Sequence, residues 1–193
     1  MTEKTKNNAS YDDVIAAPEM KIAELVRGDL YLSPRPALRH SKAASVLGAD
    51  INDAFHRGRT GPGGWWILDE PELHLASDVL VPDIAGWRRE RLPEIPDTAW
   101  IGLAPDWVCE VLSPSTEDFD RDLKLPLYAA GGVSHLWLVD PRERSLEVSG
   151  QLDSKWVLLE ATRPSTRRRS KRWHSTSHRC GECLRFPWGH LMF

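Results

Sequence analysis

The chain predicts an α/β fold of the α+β type, a mixed sheet with flanking helices. Three observations carry that expectation. Short apolar runs bounded by Pro and Gly, at 22–26, 79–87, 107–112 and 135–139, have the length and composition of buried strands. Ala43, Leu47, Ile51 and then Ala54 or Phe55 recur at the helical period, giving an apolar stripe that ends near Gly58. From Asp78 to Val139 the elements read strand, strand, helix, strand.

Taken in order, Ile22 to Val26 and Leu30 to Ser33 form a hairpin around Arg27-Gly28-Asp29, and the Ala43 helix follows. Gly61-Pro62-Gly63-Gly64 is a turn before a strand that begins at Trp65 and runs to Ala76. The runs at Asp78 to Trp87 and Trp107 to Leu112 are the next strands. After Ser113-Pro114, Ser115 or Thr116 can cap a helix that runs to about Ala130, with Glu117 and Asp118 suited to its first-turn dipole. Pro126 removes one of that helix's hydrogen bonds and predicts a kink. A strand at His135 to Val139 closes on Asp140-Pro141, and a last pair uses Ser145 to Val148 and Lys155 to Glu160. With 193 residues, 41% of them hydrophobic, and nine Trp, the chain can fill one core, which we assign to a single domain over residues 1–162.

Chemistry concentrates in a short stretch. Asp83, Glu110 and Lys124 fall within 42 residues. Two carboxylates can hold a hard divalent cation, Mg²⁺ or Mn²⁺, and an ammonium can stabilise charge developing on phosphorus. The set therefore suits a metal-dependent phosphodiester hydrolase, with Asp83 and Glu110 as metal ligands. A competing reading makes Glu110 an ordinary salt-bridged or exposed carboxylate. Asp120, Lys124 and Tyr128 recur every four residues and share a helix face, so Asp120–Lys124 also reads as a surface ion pair worth ~0.3–0.5 kcal/mol. On this basis Lys124 should matter for turnover and little for thermal stability. Glu70, Glu72 and His74 alternate along the Trp65 run, so Glu72 can approach Asp83 if that run is one strand; a half-solvated strand face explains the alternation equally.

Several segments in order, AELVRGDLYLSP, Arg39-His40-Ser41, VLVPDIAGW, PDWVCEVLSPST, FDRDLKLPLYAAGGV and LWLVDP, resemble the Uma-type putative restriction endonucleases, a bacterial branch of the PD-(D/E)XK nuclease superfamily. The resemblance covers roughly residues 18 to 160. It implies a PD-(D/E)XK restriction-endonuclease-like core, DNA as partner, Mg²⁺ or Mn²⁺ as cofactor, and a homodimer as a compatible assembly. The family's motif acids fall on Asp83 and Glu110, and its lysine, moved from the strand to the following helix, falls on Lys124. Glu24 and His40 lie in family-like segments and join Glu72 and Asp120 as accessory candidates. Two departures stand out. Leu112 occupies the place two residues after the acid where the superfamily more often has lysine, and Ser134-His135-Leu136 follows Gly-Val where relatives carry Glu-Tyr.

Residues 163–193 hold seven Arg, one Lys and one Glu, a formal +7; as the whole chain carries −3, residues 1–162 carry −10. Three readings compete for this tail. It is a phosphate-gripping arm, a zinc string formed by His174, His178, Cys180 and Cys183, or an atypical terminus, which is preferred because its composition departs from the family's apolar ending and which predicts disorder. Cys109 reads as a buried thiol. No apolar run reaches 18 residues and MTEKTKNNAS has no apolar leader core, so a cytoplasmic protein without a membrane span is expected. No phosphate-cradling Gly loop or Ser-His-Asp elbow is present. The functional classes are then a DNA endonuclease, a catalytically silent nucleic-acid-binding or assembly protein on the same fold, and a hydrolase of another phosphate ester.

Overall fold

Two six-stranded sheets, rather than the single sheet expected, organise the protein. The structure is a computed structural model that describes residues 1–162; the three tail readings, including the zinc string at His174, His178, Cys180 and Cys183, lie outside the described residues. The first sheet contains β1 (Glu3–Lys6), β2 (Lys21–Val26), β3 (Asp29–Pro34), β5 (Glu72–Leu75), β6 (Asp78–Leu80) and β8 (Trp100–Ile101), in the order β1-β3-β2-β6-β5-β8. The second contains β4 (Trp65–Asp69), β7 (Ile84–Arg88), β9 (Trp107–Val111), β10 (His135–Asp140), β11 (Ser145–Leu152) and β12 (Lys155–Thr162), in the order β12-β11-β10-β9-β7-β4.

Two expected single strands are each broken in two, and each break carries the chain from one sheet to the other. Between β4 and β5, Glu70 adopts φ +47 and Pro71 has no N–H to give a ladder. Between β6 and β7 the interruption is Val81-Pro82-Asp83. There the N–H of Val81 is bound by the Glu24 carboxylate at 2.8 Å and its carbonyl by the Lys124 ammonium at 2.8 Å. Side chains thus satisfy backbone groups that a neighbouring strand would otherwise pair.

β9 decides what lies on either side of the second sheet, because successive side chains alternate between its faces. Trp107, Cys109 and Val111 meet Leu47 and Ile51 of α2 (Leu38–Ile51) and Phe55 of the π-helical turn that continues it. Val108 and Leu112 face the other way, into a core shared by both sheets and by a helix spanning 117–131, which supplies Phe119 and Tyr128. Glu110 lies between those two positions on the same face, only 2% exposed. Gly86 on β7 makes room for this packing, since a Cβ there would meet Ile67 at 3.0 Å and the rings of Trp65 and Trp107 at 3.3 Å.

The 117–131 helix confirms the expected element and refines its shape. Asp120–Lys124 is a π-helical turn in which the Leu125 N–H donates to the Asp120 carbonyl, just before Pro126. The wider turn is a known way to accommodate a proline within a helix. Gly132, at φ +90, ends the helix in the left-handed conformation that glycine adopts without strain. The shorter helix α1 (Tyr11–Ile15) and strands β1 and β8 have no sequence signal strong enough to predict them. Among the described residues, no helix is long and apolar enough to cross a membrane.

Candidate active site

The site forms where the break after β6 meets the end of β9. Asp83 sits in the break, Glu110 on β9, and Lys124 in the π turn. The ammonium of Lys124 lies 2.9 Å from Glu110 Oε1, 3.1 Å from Glu24 Oε1 and 3.7 Å from Asp120 Oδ1, and donates to the Val81 carbonyl at 2.8 Å. Its three N–H groups are therefore matched by three close oxygens. Tyr128, one helical turn on, donates to Glu110 Oε1 at 2.6 Å. Glu110 Oε2 accepts from the Asp83 N–H at 3.4 Å.

Asp83 is fixed from both sides. Its Oδ2 accepts the Val111 N–H at 2.7 Å, and His40 Nε2, from α2, lies 3.1 Å from Oδ1 and 3.2 Å from Oδ2. The other His40 nitrogen, Nδ1, is buried and has no partner among the described residues. Glu24, Asp120 and Lys124 are each no more than 4% exposed. Together with Ser113, Ser115 and Thr116 on its rim, these groups line a cleft of about 40 Å³, room for a small ion and a water or two.

Three buried carboxylates and half-buried Asp83 thus face one ammonium and one imidazole. Burial pushes the Glu110 carboxyl up to about 7, opposed by Lys124 and reinforced by Asp83. Burial, with Glu110 as neighbour, also holds the Asp120 carboxyl well above its usual range. Burial works against the charge on Lys124, but Glu110 and Glu24 outweigh it and keep the ammonium protonated. The same contest at His40 is won by the Asp83 hydrogen bond, which raises the imidazole.

Six of the seven candidates among the described residues meet here: Asp83, Glu110, Lys124, Glu24, His40 and Asp120. The reading of Asp120–Lys124 as a surface pair is overturned, because both side chains are buried. Glu72 is brought elsewhere. It lies on the first sheet, accepts from the Tyr11 hydroxyl at 2.7 Å and contacts His74 at 2.8 Å, while Glu70 occupies the preceding turn. The strand break removed the continuity on which its approach to Asp83 depended. Tyr128 is the residue that sequence reasoning undervalued, although its four-residue spacing from Lys124 carried the signal.

The family model described as Uma2, putative restriction endonuclease, matches residues 9–172. The chain belongs to that family. No curated protein matches it significantly. Among solved structures, a protein of Anabaena variabilis described as a putative nuclease belonging to DUF820 is similar with a TM-score of 0.65 and 23% identity, covering 78% of this chain and 83% of that one. At that identity the likeness shows a shared fold, and the mixed α+β arrangement seen here agrees with it. In this Uma2 chain, no three His, Cys, Asp or Glu side chains among the described residues are grouped closely enough to enclose a metal by themselves. The donor set still fits Mg²⁺ or Mn²⁺. Asp83 Oδ1 and Glu110 Oε2 are carboxylate oxygens not engaged by Lys124 or Tyr128, and Mg²⁺ takes one or two carboxylates and fills its remaining positions with water and substrate oxygen.

Proposed function

We propose that the protein is a metal-dependent DNA endonuclease that hydrolyses phosphodiester bonds, with Asp83 and Glu110 as ligands of Mg²⁺ or Mn²⁺ and Lys124 beside them. The observation that carries this reading is the convergence of Asp83, Glu110, Glu24 and Asp120 on one ammonium and one imidazole in a single small cleft. Buried charges persist when paired or metal-bound. When bound, such a cation supplies Lewis-acid stabilisation of phosphate charge and a more acidic water.

The protein's own residues perform the positioning. Lys124 and Tyr128 both hold Glu110 Oε1, which leaves Oε2 toward Asp83. The Val111 N–H and His40 fix Asp83. His40, raised by its carboxylate neighbour, can hold a proton at Nε2 and donate it in a hydrogen bond to the Asp83 carboxylate. Family membership and the fold shared with a protein described as a putative nuclease support phosphodiester chemistry on a nucleic acid, and the family's description as restriction endonucleases favours DNA as the substrate.

One observation favours the alternative of a catalytically silent nucleic-acid-binding or assembly protein. Every donor of Lys124 is engaged inside the fold, so contact with a phosphate requires it to release Val81, Glu24 or Glu110. Calorimetry separates the readings: Mn²⁺ should bind the full chain with a measurable heat that Asp83→Asn removes. Equal heats from the two proteins would discard Asp83 as a ligand.

A further inference from the structure

A second concavity adjoins the cleft without sharing its carboxylates. It holds about 340 Å³, within the ~300–1,000 Å³ range of small-ligand sites. Val46 and Leu47 of α2 with Val139 and Leu146 of β10 and β11 make its apolar floor. Its rim is cationic, formed by Arg39 and Lys42 from the first turns of α2 and Arg144 from the β10–β11 turn. These three make no ion pair among the described residues, whereas Arg142 beside them is held by Asp140 and Glu117 at 2.6 Å each. Arg144 adopts φ +53, a conformation uncommon for residues with a side chain and natural to glycine. Glycine would adopt that conformation with less strain.

Two links tie the groove to the cleft. The turn of α2 that sends His40 to Asp83 carries Arg39 and Lys42 on either side of it. Val139 of the floor pairs with Val111, whose N–H binds Asp83, so groove and cleft are about one strand spacing, ~4.8 Å, apart at that point.

We propose that this groove seats one unpaired nucleotide of a single strand, with the adjacent phosphate in the carboxylate cleft; the proposal rests on the phosphodiester reading of that cleft. Phosphate charge pairs with Arg39, Lys42 and Arg144, and the base lies over Val46 and Leu47. A base stacked in a duplex cannot reach that floor without leaving its stack, so the groove selects single-stranded or frayed substrate. An acidic peptide would also satisfy the cations. The junction with the cleft through α2 favours nucleic acid, because a strand crossing it places successive phosphates in two sites.

The test measures fluorescence anisotropy of labelled oligothymidylate with the full chain in chelator, so that no bond is cut. The variant Arg39→Ala/Lys42→Ala/Arg144→Gly should bind at least tenfold more weakly, and its slope of log K against log salt should be shallower by about 2, at ~0.7 per lost phosphate contact. Wild type should prefer oligothymidylate to an abasic strand of equal length, and Val46→Asn, at an exposed position, should narrow that preference without changing the slope. Arg144→Gly alone should not lower the thermal midpoint, which separates lost binding from lost folding. Affinity within twofold of wild type at unchanged slope overturns the proposal, as does loss of polyglutamate binding in the triple variant with oligothymidylate binding retained. Because binding is read without metal, failure of Mg²⁺-dependent cleavage leaves this result standing. Cleavage at unaltered KM in the triple variant refutes the groove and spares the nuclease reading.

Discussion

Lys124 joins Glu24 on β2, Val81 in the break and Glu110 on β9, bridging the gap between the β2–β6 ladder and the β7–β9 ladder. The expectation that it matters little for thermal stability is therefore revised. Removing one partner of a buried charge network leaves the others unpaired, at a cost of about 3–5 kcal/mol. Lys124→Ala should lose that much in denaturant unfolding, and Glu110→Gln in the same background should recover part of it; a stability within about 1 kcal/mol of wild type, the range of surface pairs, would mean the network is not formed. Glu110 also sets a pH dependence. Its carboxyl lies at about 7 in the fold against 4.5 as the ordinary value, so folding favours its protonated form. That contribution is complete below 4.5 and disappears as pH rises through about 7. In chelator, stability should fall between those pH values, and Glu110→Gln should flatten the fall as followed by thermal unfolding at each pH.

At the scale of elements, what the sequence made legible was the set of local periods. The Ala43 stripe, the β2–β3 hairpin, β9, the 117–131 helix and β10 all declare themselves by apolar spacing or turn residues. Invisible were the two breaks that divide the strands between separate sheets. Val81 reads as one more strand residue because the groups that replace its ladder partners, Glu24 and Lys124, are distant in sequence. The same reason made Glu72 appear to be a candidate and kept Tyr128 in the background: alternation predicts a face, whereas only the sheet assignment says what that face meets. Asp83, Glu110 and Lys124 were legible through their family-like segments, but the burial of Lys124 was not. Gly86 tests the packing that positions β7 against β9. Gly86→Ala should cost ~1–3 kcal/mol by overpacking against Ile67, Trp65 and Trp107, seen as a lower denaturation midpoint with an unchanged denaturant slope.

Across the whole molecule, residues 1–162 carry −10, and the cleft gathers four carboxylates at the junction of the sheets. Local cations on α2 and the β10–β11 turn, rather than net charge, are what make this acidic body compatible with a polyanionic substrate. Binding of a divalent cation at the cleft should stabilise the native state. Mg²⁺ should therefore raise the thermal midpoint more at pH 8, where Glu110 is ionised, than at pH 5.5, where a proton competes for it. An equal rise at both pH values would place the ion elsewhere. The central claim is tested most directly by incubating single-stranded and plasmid DNA with purified wild type, Asp83→Asn and Glu110→Gln, each shown to be folded, in Mg²⁺, Mn²⁺ or chelator. Cleavage by wild type with either metal, none in chelator, and a loss of about 10²-fold or more in both variants, as for removal of key electrostatic groups, is the predicted result. Cleavage that persists in chelator, or at wild-type rate in folded Asp83→Asn, would contradict it.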